Sequence, residues 1–269
     1  MGEVEIGCRG SKRGLAERLG GASMTTILES ITFLKQQKWI DLTHEVSGEI
    51  PYFASFKPLT EKTLFTVEEH GFFAKEYNLV TQYGTHIDAP SHFASGKRHL
   101  EELELKELVL PLIVLHKETE VAANHDYELS VADIHAFEDK HGAIPAESFV
   151  AFASDWSKRW ENHDDFYNRD EQGQAHTPGW SLEALQFLHE QRNVQAIGHE
   201  TLDTDSAVAC TANGGLIGEL YWLSQDKFQV EVLTNLSEVP AVGAAIVLGV
   251  PKIKRAPGFN IRAFAIVPN

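Results

Sequence analysis

Two apolar runs of strand length, residues 108–115 and 148–153, flank a segment of helical spacing, and this alternation constrains the fold more than any other feature of the chain. Both runs are rich in β-branched or aromatic residues, as strands buried on two faces are. Between them Ser130 offers a helix cap ahead of Val131, Ile134 and Phe137 at helical spacing. Ser181 opens a second such segment, with Leu185, Phe187 and Leu188 on its apolar face, and residues 194–198 form a third apolar strand. Strand, helix and strand in succession predict an α/β domain.

The flanks extend the pattern. Ile27, Ile31 and Leu34 give 25–38 helical spacing, 39–42 reads as a short strand, and 75–81 predicts a strand running directly into Gly84-Thr85-His86. Downstream, 216–224 predicts a short helix, and 228–233, 244–248 and 262–267 predict strands. No internal repeat interrupts this order, so residues 24–269 are expected to form one domain. Residues 1–23, rich in Gly and Arg and without an apolar signal core, are expected to be a disordered N-terminal extension, with Met24 a candidate start. The polar and aromatic stretch 155–179 is long for a connection and predicts a functional loop or a dimer arm. Trp156, Trp160 and Trp180, in or beside it, read as core or interface packing.

A net charge of −16 argues against a nucleic-acid partner, which needs clustered Lys and Arg, and against an anionic membrane surface. It favours attraction of a divalent cation. No apolar run approaches the roughly 20 residues of a membrane helix. With two cysteines, Cys8 and Cys210, the chain has no disulfide framework and no CxxC pair, which fits a reducing cytoplasm.

Candidate chemistry centres on His86, Asp88 and His92. In an extended chain residues two apart share a face, with Cα atoms roughly 7 Å apart, so His86 and Asp88 can hold one metal ion together. The same pair also fits a histidine held by a carboxylate in a structural polar network. Pro90 stops strand pairing and turns the chain so that His92 comes back toward the pair. Gln82 falls on the same face, but a straight strand would leave it roughly 13 Å from His86. It becomes a ligand only if Gly84 bends the chain. His199 and Glu200 follow an apolar strand, where α/β enzymes place site residues, and are read equally as substrate-binding groups or a structural polar pair. His176, before a Pro-Gly turn, reads as a loop hydrogen-bonding residue.

The run Gln82-Tyr83-Gly84-Thr85-His86-Ile87-Asp88-Ala89-Pro90-Ser91-His92 resembles the HxGTHxDxPxH signature of the cyclase family. The resemblance extends to Asp41-Leu42-Thr43-His44, to His176-Thr177-Pro178-Gly179-Trp180-Ser181, to Thr201-Leu202-Asp203-Thr204-Asp205, and to Glu231-Val232-Leu233-Thr234-Asn235-Leu236 with Pro240. It implies a fold of the swivelling β/β/α type, a mixed β-sheet or barrel-like core packed by helices, usually as a homodimer. It implies that His86 and Asp88 are metal ligands, Glu231 a later ligand, and His92 the proton donor or acceptor. Phe53 stands where the family's formamidases carry a substrate-contacting Trp.

Two positions depart from the formamidase pattern: Gln82 replaces the first His of the signature, and Glu219 stands where a formamidase has another metal-binding His. Both remain candidate ligands. An oxygen-richer set fits Mn²⁺, with Zn²⁺ the other candidate, and points to a single ion. The function so implied is metal-dependent hydrolysis of a small amide, cyclic amide (isatin-like) or lactone. The alternatives are a catalytically silent metal- or small-molecule-binding protein on the same scaffold and an arylformamidase acting on N-formylkynurenine.

Overall fold

The computed structural model describes residues 26–269. The expectations for residues 1–23, Cys8 and Met24 lie outside the described residues. The described residues fall into two units, 26–37 and 38–269. In the first, helix α1 (Ile27–Gln36) is started by a capping box: the Thr26 side chain accepts the Glu29 N–H, and the Glu29 carboxylate accepts the Thr26 N–H.

The second unit holds strands β1 (Lys38–Asp41), β2 (Thr60–Phe65), β3 (Ala74–Asn78), β4 (His86–Asp88), β5 (Val109–His116), β6 (Glu128–Leu129), β7 (Phe149–Ala153), β8 (Gly179–Trp180), β9 (Ala196–His199), β10 (Phe228–Glu231), β11 (Ala244–Gly249), β12 (Gly258–Asn260) and β13 (Arg262–Val267). Nine of them form one mixed sheet in the order β1-β13-β11-β5-β7-β9-β10-β4-β12. Its centre, β5-β7-β9-β10, is parallel, and antiparallel strands continue it on both sides. Beyond β1, the Leu42 N–H donates to Ala263 and its carbonyl accepts the Thr234 N–H, while Thr43 bridges Leu233 beside the end of β10. The sheet therefore curls into a half-barrel packed by helices, the mixed α/β architecture that the resemblance implied.

Both faces of the central strands are covered, which explains their uninterrupted apolar sequence. On β5, Leu112 and Val114 join the cluster shared with β11 and β13, whereas Ile113 and Leu115 join the one under the helices. Helix α2 (Val131–His141) contributes Ile134 to the second cluster, and helix α3 (Leu182–Glu190) contributes Leu185 and Leu188. Ser130 and Ser181 cap these helices, accepting N–H bonds from Asp133 and Ala184.

One expectation needs correction. The strand expected over 75–81 ends at Asn78, because its antiparallel partner β2 begins at Thr60 and leaves no ladder beyond that pair. β2 itself is not legible in the sequence: all six of its residues are exposed, so no alternation marks them. Within the stretch 155–179 the chain also forms regular structure. It contains a 3₁₀ turn (Trp156–Arg159) and a short helix (His163–Tyr167), and buries Trp156, Trp160 and Phe166 against the core.

Candidate metal centre

Strands β4 and β10 run antiparallel with His86 opposite Glu231 and Asp88 opposite Gln229. Since alternate residues share a face, this register puts four polar side chains on one patch of the sheet. Gly84, at φ +64°, turns the chain just before β4 in a conformation that favours glycine. Gly258 on β12 is required by close approach, since a Cβ there would lie 2.3 Å from the Ile87 carbonyl oxygen and 2.6 Å from Gln82 Nε2.

His86 Nδ1 sits 2.8 Å from the Gly84 carbonyl, to which it donates, so its Nε2 faces the site. That Nε2 is 3.6 Å from Asp88 Oδ2 and 3.3 Å from Glu231 Oε2. One donor atom from each of these three buried residues lies within 4.8 Å of the others. Asp88, His92 and Glu219 form a second such group, and Asp88 joins the two. The 3₁₀ turn Pro90–His92 brings His92 Nε2 to 3.9 Å from Asp88 Oδ1 and 4.0 Å from Glu219 Oε1. Glu219 is held by helix α4 (Ile217–Ser224), whose first-turn N–H groups at Gly218 and Glu219 donate to the Asp205 carboxylate at 2.8 and 3.0 Å.

Electrostatics favour a cation here. Burial, reinforced by Glu231 and Asp88, pushes the Glu219 carboxyl well above the ordinary range. Burial with Glu231 and Asp205 pushes Asp203 up to about 7. Burial alone would lower His86, yet Asp88 and Glu231 raise it well above an ordinary imidazole. Burial opposes the ionised form of Asp88, and His86 more than offsets it, holding that carboxyl below its usual range. Among the described residues no Lys or Arg lines the adjoining cavity. An imidazole and several buried carboxylates without a basic partner are the donor set of a divalent cation, so the residues fit the metal that the signature implies.

The remaining predicted residues divide. The Gly84 bend does bring Gln82 to the centre, where its Nε2 donates to Asp88 Oδ1 at 3.2 Å and its Oε1 accepts from the Thr81 hydroxyl. In this arrangement Gln82 steadies a candidate ligand. Phe53 lines the cavity of about 180 Å³ above the ligands, with Phe56, Phe93, Leu202 and Leu216. His199 is buried behind Glu231, 3.3 Å from its Oε1, and does not line the cavity. Glu200 is turned away: its Oε2 accepts from the Ser154 N–H, the Ser154 hydroxyl and the Trp156 N–H, and its Oε1 from the Ser157 hydroxyl. Its substrate-binding reading is replaced by that of an anchor for the turn after β7. Glu200→Ala is therefore expected to cost roughly 3 kcal/mol of stability, seen as a fall in Tm, because it strands several buried donors. An unchanged Tm with a raised KM would restore the substrate reading. His176 bonds Asp126 in a loop, next to a separate surface cavity of about 420 Å³ where the described residues gather no metal-ligand group.

Sequence reasoning missed Gln229 and Asp203. The Gln229 amide nitrogen donates to Asp88 Oδ2 at 3.2 Å and to Glu231 Oε1 at 2.9 Å, and its oxygen accepts from the Thr204 hydroxyl at 2.8 Å. Its position two residues before Glu231 on a strand was the available signal. Asp203 lines the cavity from the Thr201-to-Asp205 segment.

The family described as "Putative cyclase" matches residues 40–206. The chain belongs to the cyclase family. Among cyclase-family relatives, it is 33% identical over 202 residues to the isatin hydrolase of Roseibium aggregatum, spanning 73% of this chain and 76% of that protein. It is 30% identical over 98 residues to the kynurenine formamidase of Geobacillus thermodenitrificans, spanning 36% of this chain and 46% of that one. Among solved structures, isatin hydrolase A from Labrenzia aggregata bound to benzyl benzoate superposes with a TM-score of 0.85 at 27% identity, covering 91% of this chain and all of the other. This structural likeness covers more of the chain than the matched family segment does.

Proposed function

We propose that this hydrolase of the cyclase family opens a small cyclic amide of the isatin type with the help of one divalent cation held by His86, Asp88 and Glu231. The observation that carries the reading is the β4–β10 register, which gathers three donor atoms at the floor of an aromatic-rimmed cavity. The likeness to isatin hydrolases supports the lactam as substrate class. A cation there supplies Lewis acidity, polarising a carbonyl and acidifying water. His92, a quarter exposed on the cavity wall, takes a proton from water or delivers one to the leaving nitrogen. Gln82 and Gln229 hold the two oxygens of Asp88, and Phe53, Phe56 and Phe93 enclose a flat ring away from solvent. The oxygen-rich set favours Mn²⁺ over Zn²⁺.

Metal analysis of the purified protein followed by a panel of isatin, N-formylkynurenine and simple lactones tests this. Ring opening of isatin with stoichiometric Mn²⁺ is expected. A preference for N-formylkynurenine would move the reading to the arylformamidase that the kynurenine formamidase relative favours. Bound metal with no turnover would identify a silent binder.

The reading takes the partner to be a small molecule, not a nucleic acid or a membrane. Among the described residues no helix is long and apolar enough to cross a membrane. Cys210 is a free thiol, in keeping with the cytoplasm. The hairpin of β2 and β3 and its connection expose Phe65, Phe72, Phe73 and Tyr77, which supports a homodimer, and sedimentation equilibrium tests it.

A pH dependence follows from the same carboxyls. Glu219 and Asp203, raised in the folded chain, bind protons that a cation must displace, so metal affinity is expected to rise from pH 6 to 8 with measurable proton release in calorimetry. For metal-depleted protein the linkage has a definite sign. Raised folded-state values at Glu219, Asp203 and His86 mean that the folded state binds more protons than the unfolded one. Stability is then lost as pH rises from about 4 through 7 and beyond, and added cation restores it. A metal affinity independent of pH would contradict this account.

A further inference from the structure

We infer that Trp180 sets the tautomer of His199, and through it the orientation of Glu231, so that Glu231 turns Oε2 toward the cation site. The inference rests on the metal reading above, and it assigns His199 and Trp180 as positioning residues.

The indole N–H of Trp180 only donates, and the ring is fully buried. It meets His199 Nδ1 at 3.4 Å, so Nδ1 carries the lone pair and the ring proton is on Nε2. His199 Nε2 is buried without an aligned hydrogen bond, and it faces Glu231 Oε1 at 3.3 Å. Gln229 Nε2 donates to the same oxygen at 2.9 Å. Two N–H groups thus crowd Oε1, and Oε2 is left 3.3 Å from His86 Nε2. The opposite tautomer would set N–H against N–H at Trp180 and a lone pair against a carboxylate at Glu231. The indole is itself fixed: its ring meets Phe152 edge-on at 5.7 Å, and its backbone N–H donates to the Thr204 carbonyl at 2.8 Å. Groups behind a metal ligand that fix its orientation are worth on the order of 10- to 100-fold in affinity.

The test uses the full chain with Trp180→Phe, His199→Leu and His199→Gln. Nitrogen-15 NMR of histidine-labelled, metal-depleted protein reads the tautomer, and calorimetry with Mn²⁺ alone reads affinity. The wild type is expected to show His199 protonated on Nε2, and Trp180→Phe to lose that single tautomer and bind Mn²⁺ about tenfold more weakly. His199→Leu is expected to lose 10- to 100-fold, while His199→Gln, whose amide can present an N–H to Glu231, returns to within about threefold of wild type. If Trp180→Phe does not fold, the wild-type tautomer and the Leu-to-Gln comparison decide. Retention of the Nε2–H form in Trp180→Phe, a wild-type proton on Nδ1, or no difference between the Leu and Gln variants would overturn the inference. A wild type that binds neither Mn²⁺ nor Zn²⁺ would sink the metal reading, and the tautomer in Trp180→Phe would still decide this one.

Discussion

Asp88→Ala is expected to lower metal affinity by about a thousandfold and abolish turnover, while the protein remains folded by circular dichroism. Asp88 belongs to both ligand groups and is fully buried, so its loss removes charge from each of them at once. Its two oxygens accept from Gln82 and Gln229, and Glu231 already faces His86 and His199. Removing one member of a buried charge cluster typically costs about 4 kcal/mol, which corresponds to a factor of about 10³ in binding. Calorimetry with Mn²⁺ measures it directly. Binding within threefold of wild type would show that the cation does not sit between β4 and β10.

His92→Ala should separate binding from chemistry. His92 approaches Asp88 and Glu219 only at 3.9 and 4.0 Å and keeps a quarter of its side chain exposed to the cavity, whereas His86 is buried against two carboxylates. The expected result is metal affinity within about threefold of wild type, with kcat reduced on the order of 10²- to 10⁴-fold, the usual worth of a general acid or base. Full turnover would remove His92 from proton transfer. Loss of metal in step with loss of kcat would instead make it a ligand of the second group, with Glu219.

The contrast between Glu200 and Gln229 marks how far the sequence could be read. Glu200 follows an apolar strand and looks like a site residue, but the turn after β7 supplies four donors that consume its carboxylate. Gln229 carries no motif, but its amide joins the two carboxylates that matter. The difference lies in the partners each side chain meets, and those come from elements distant in the chain. Similarly, β5 and β7 were legible because burial on both faces demands continuous apolar sequence, whereas the exposed β2 left no pattern to find.

Short-range chemistry was decided within a few residues: the Ser130 and Ser181 caps, the His86–Asp88 spacing on one face, the Gly84 bend and the turn at Pro90 all follow from local backbone rules. The tertiary structure alone decided that Gln229 would meet Asp88 across 141 residues of chain, that Glu231 would stand opposite His86, and that Asp205 would hold the helix carrying Glu219. Strand partners and register are selected by the burial of both faces of the whole sheet, a sum to which every strand contributes and which no local window contains.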